Sequence, residues 1–98
     1  MNDTEALRKA IRDLHGCEAI YLASVSLKES FQGLPVWEGV VSLFILEGHP
    51  EASQCYAWSH AVKGSDKRRY VAVLKLGKVD SAADAVRVAL IQEFREGS

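Results

Sequence analysis

Cysteine is scarce in this chain: only Cys17 and Cys55 occur among 98 residues. A secreted domain of this size that depended on disulfides would carry more of them. The opening residues, Met1-Asn2-Asp3-Thr4-Glu5, are acidic and lack the basic and apolar stretches of an export signal. No apolar run approaches the roughly 18 residues of a membrane span. There is no excess of either charge, the formal net value being -1, whereas proteins that wrap duplex nucleic acid carry a clear positive surplus. Repeats, linkers and low-complexity tracts are absent as well. These absences give the expectation of one cytoplasmic domain over residues 1–98, with both thiols reduced and no membrane partner.

Hydrophobic residues make up 48% of the chain and charged residues 26%, an ordinary globular balance. Ala6, Leu7, Ala10, Ile11 and Leu14 recur at helical spacing behind the capping candidates Asn2, Asp3 and Thr4, and Gly16 supplies a stop. From Cys17 to Gln32 the period changes to two. Gly33-Leu34-Pro35 and Gly48-His49-Pro50-Glu51 are turn signals, and they bracket a very apolar strand candidate, Val36 to Glu47. Gln54 to Val62 and Arg69 to Leu76 form a further pair around a polar loop. Ser81 with Asp84 resembles a capping box ahead of a last helix whose apolar face includes Ala82, Ala83, Val86, Ala89, Leu90 and Phe94. The expected fold is α+β: a helix, a four-stranded antiparallel meander and a helix. The alternative is a three-stranded sheet with a helix at about 50–63, between Pro50 and Gly64.

Counting outward from the three turns sets a register. Leu27 falls opposite Val40, Ala23 opposite Phe44, Phe44 opposite Cys55, Ser42 opposite Ala57, and Ala57 opposite Leu74. These pairs collect an apolar face, from Tyr21 and Phe31 to Leu74, that two helices are expected to cover together. The small residues Ala57, Ser59 and Ala61 suit close approach by the last helix. The other face then holds Trp37, Tyr56, Trp58 and His60, flanked by Lys28 on one side and by Arg69 and Lys75 on the other. Left open, such a patch marks an interaction surface.

Motifs for chemistry are weak. His15, Cys17, His49, Cys55 and His60 fit no usual zinc spacing, the glycines form no phosphate loop, and no cofactor is implied. The tract Lys63, Lys67, Arg68 and Arg69 is one loop rather than a broad field. The order helix, strands, helix resembles that of double-stranded-RNA-binding domains, which carry a Lys-rich start to the last helix. Here that place reads Asp80-Ser81-Ala82-Ala83-Asp84, which is acidic, so no residue is carried over. The reading is a non-enzymatic interaction module that homodimerises through the aromatic face, with Trp37, Tyr56, Trp58, His60, Lys28, Arg69 and Lys75 as its site. Two alternatives use the same face: binding of a ligand or single-stranded nucleic acid by stacking, and a small enzyme using His60 with Glu38 or Tyr56.

Overall fold

The computed structural model describes residues 3–62 and 64–96. Asn2 and Lys63, and the side chains of Phe31, Val36 and Phe94, lie outside the described residues. The elements in chain order are helix α1 (Asp3–His15), strands β1 (Glu18–Phe31), β2 (Leu34–Glu47), β3 (Gln54–Ala61) and β4 (Arg68–Leu74), and helix α2 (Ala82–Glu96). The strands form one antiparallel sheet in the order β1-β2-β3-β4. Residues 54–61 are therefore strand, and the helix alternative for that segment is set aside. Cys55, Tyr56, Ala57 and Trp58 are all buried in succession because both faces of β3 are covered. That continuous burial removes the alternation by which a strand is usually told from a helix.

Local chemistry explains the boundaries. Gly16, at φ +68°, donates its N–H to the Arg12 carbonyl and closes α1. Asp84 donates its N–H to the Ser81 hydroxyl and Ala85 donates to the Ser81 carbonyl, which makes Ser81 the cap of α2. In the loop before β3, the Nδ1 of His49 accepts the N–H groups of Glu51 and Ala52.

The first hairpin corrects the sequence reading. Its turn is Gln32-Gly33, both at positive φ (52° and 80°), and Phe31 pairs with Leu34. Two such residues match the right-handed twist of the flanking strands. Leu34 and Pro35 therefore belong to β2 rather than to the turn. Two register shifts follow, one at Pro35–Val36, where Pro lacks an N–H, and one at Leu22. Between them Ala23 pairs with Leu43 and Leu27 with Gly39, one residue away from the expected register. A one-residue slip turns every side chain over, so Ser24, Ser26 and Lys28 change faces. In β3 and β4, Cys55 pairs with Leu74 and Ala57 with Ala72. That is a shift of two from expectation, and it leaves the faces as they were.

The helices do not share a face. Leu7 and Ile11 of α1 pack with Ala19, Phe44, Cys55 and Ala57 on one side of the sheet. Ala85 and Val86 of α2 pack with Val41, Tyr56 and Trp58 on the other. The reason is the apolar content of the second face, where Leu43, Val71 and Val73 also pack against this cluster. One helix per face takes more apolar surface out of water than two side by side. Ala57 accordingly lies beneath α1, not α2. Glu29, buried beneath α2, meets Arg87 Nε at 3.3 Å.

Cys55 is fully enclosed. Burial, with a smaller contribution from Cys17, pushes its thiol from the ordinary 9.0 up to about 12. The folded thiol stays protonated where the unfolded one ionises. The corresponding stability is whole below about pH 9 and is lost as pH rises toward 12. Urea midpoints measured from pH 8 to 11 should fall more steeply for the wild type than for Cys55→Ala; equal slopes would refute the linkage.

Candidate functional site

Six of the seven residues proposed from the sequence share the face beneath α2. The register places Trp58 opposite Val71 and His60 opposite Arg69, and Trp37 and Trp58 meet edge to face at 5.9 Å between ring centroids. Gly39 makes this arrangement possible. A Cβ there would lie 3.0 Å from the Trp37 indole, which leans over the glycine. A cavity of about 310 Å³ adjoins the pair, with Trp37, Trp58, His60 and Leu90 among its walls. The His60 Nδ1 lies 3.4 Å from the Ala61 carbonyl.

Lys28 is the exception. The slip in β1 sends it to the α1 face, opposite Glu38. Lys75 stands at the other end of the sheet, where its Nζ donates to the Gln54 side chain at 3.3 Å. Arg69 lines a groove with His15 and Gln92 beside β4. The aromatic centre and its basic flanks are thus not assembled as a stacking platform. Trp58 is only 2% exposed and Tyr56 is buried, so the face expected to be open is roofed by α2. An enzymatic reading gains nothing either. Ser59 points to the opposite face, where Arg68 donates to its hydroxyl. Among the described residues no group of three or more His, Cys, Asp or Glu is placed to hold a metal. Nor is any helix among them long and apolar enough to cross a membrane.

Accessible apolar side chains are found instead on β1, as they are at Leu14, Leu34, Val40 and Ile91. Ile20, Tyr21, Leu22 and Val25 are 47%, 43%, 49% and 47% exposed. Tyr21, Ser24 and Ser42 form a hydroxyl chain with spacings of 2.7 and 3.0 Å. As an end strand, β1 leaves the backbone groups of its outer side without a strand partner in the sheet. A long apolar edge of this kind is a template for pairing, and monomeric proteins normally blunt it.

The other end strand is blunted. β4 runs only from Arg68 to Leu74 and begins with two arginines, and His15 Nε2 sits 3.1 Å from the outward carbonyl of Ala72. β1 carries 14 residues and no proline, and α1 reaches its outer side only near the start, where Arg8 Nε donates to the Ala19 carbonyl at 2.9 Å. Sequence reasoning passed over this edge because it followed faces. The available signal was topological: the first and last strands of a meander are its edges.

No family model matches this chain, and no curated protein or solved structure matches it. The functional reading therefore rests on this geometry alone.

Proposed function

We propose that this chain is a non-enzymatic interaction module of the cytoplasm that forms a homodimer by pairing the β1 edges of two copies. The observation that carries the reading is the length and apolar exposure of the β1 edge, 14 residues with Ile20, Leu22 and Val25 about half exposed, against seven residues in β4. Antiparallel β1–β1 pairing about a two-fold axis uses the same edge on both partners and closes on itself. The continuous sheet that results ends on β4 at both sides, the short, basic edge that His15 covers. Pairing β1 with a partner's β4 would instead propagate into open filaments, and the blunting of β4 opposes it. Two buried, unbridged thiols suit a reducing compartment.

A ligand site at Trp37 and His60 is the competing reading, with the adjoining cavity in its favour. A near-buried Trp58 leaves a ligand little aromatic face to touch.

Size-exclusion chromatography with light scattering tests the dimer. The wild type should elute at twice the chain mass at micromolar concentration. Ile20→Lys combined with Val25→Lys should run as a folded monomer, because both side chains are about half exposed and contribute little to the core. A wild-type monomer persisting at high micromolar concentration would remove the proposal.

A further inference from the structure

We infer that the dimer has one specific register, with Ile20 opposite the partner's Val25, and that the partner's Ile20 settles into an apolar groove between β1 and the start of α2. The inference rests on the homodimer reading above. It follows from the irregularity at Leu22.

Directly opposed residues in an antiparallel pair point to the same face. Before Leu22, Ala19 and Tyr21 face α1, in line with Leu46 and Phe44, while Ile20 lies with Ile45 on the other side. After Leu22 the parity is reversed. Ser24 and Ser26 lie on the α1 face with Ser42 and Val40, and Val25 and Leu27 lie on the α2 face with Val41 and Gly39. In a regular strand, self-pairing would match residues separated by an even number of positions. Here the two halves match only when an odd number separates them.

Setting Ile20 opposite the partner's Val25 meets that condition along the strip. Tyr21 comes opposite the partner's Ser24, Ala19 opposite the partner's Ser26, and Glu18 opposite the partner's Leu27. The irregular residues Leu22 and Ala23 fall at the axis. The Ile–Val pair is apolar on both sides. Tyr21 reaches a second serine hydroxyl like the one it already holds. Moving the strands two residues further would set Glu18 against the partner's Glu29, and like charges opposed in this way are destabilising.

Area points to the groove. The strip from Glu18 to Leu27 is about 33 Å long and about 10 Å thick, a face of about 330 Å². A stable pair takes about 800 Å² from each partner. Beside the strip lies an apolar groove of about 450 Å³, lined by Val25, Leu27, Leu43 and Tyr56 of the sheet and by Ala82 and Ala83 of α2. A side chain from the partner on the α2 face, next to Val25, points into it, and in this register that side chain is Ile20.

Oxidative cross-linking reads the register. Ile20→Cys with Val25→Cys should convert most of the protein to covalent dimer under mild oxidant. Within one chain these two positions are too far apart along the strand to bridge. Ile20→Cys with Ser24→Cys should stay largely uncross-linked, and the native Cys17 and Cys55 are buried. A non-covalent dimer in which the first pair fails, or in which the second pair links as well or better, overturns the register while leaving the dimer standing. A monomer in light scattering overturns both.

Discussion

Replacing Trp58 with alanine is expected to cost about 3–5 kcal/mol of folding stability, the usual range for a large buried aromatic. Trp58 is 2% exposed, packs edge to face on Trp37, and lies in the cluster that Ala85 and Val86 of α2 complete. The substitution removes the indole that α2 rests on and leaves a void next to an existing cavity. A domain of this size has about 5–15 kcal/mol in total, so the variant should melt well below the wild type. Urea denaturation followed by circular dichroism is the measurement. Had the face been an open dimer surface, the same change would weaken association and spare the fold. A loss under 1 kcal/mol would mean that α2 does not depend on this contact.

Phe44→Ala should cost about as much, roughly 3–5 kcal/mol, from the opposite side of the sheet. Phe44 is fully buried among Leu7, Ile11 and Cys55 beneath α1, and its ring meets Tyr21 at 5.8 Å. The two substitutions share no contact cluster, so their effects should add within about 0.5 kcal/mol, as is usual for independent sites. The double variant would then be largely unfolded at room temperature. Strong non-additivity in the urea series would show that the sheet transmits strain between the two cores. Phe44→Ala also loosens the support of Tyr21 at the β1 edge, so dissociation of the proposed dimer should accompany it.

The sequence by itself determined the elements. Helical spacing from Ala6 to Leu14 and the capping serine at 81 are local signals, and each acts within a few residues. The pairing of β2 with β3, Phe44 with Cys55 and Ser42 with Ala57, is also the one counted outward from a turn. Tertiary structure decided the faces. A turn at Gln32-Gly33 in place of Gly33-Leu34-Pro35, together with one extra residue at Leu22, turned over the middle of β1 and separated Lys28 from Trp37. No local pattern reveals this, because β1 alternates small, polar and apolar residues that tolerate either side. The partition of α1 and α2 between the two faces is non-local for the same reason. It depends on how much apolar surface each face offers, which is settled only when all four strands are in register. Trp58 was legible as a central residue, but whether it faced water or a helix was decided by α2, which comes more than twenty residues later in the chain.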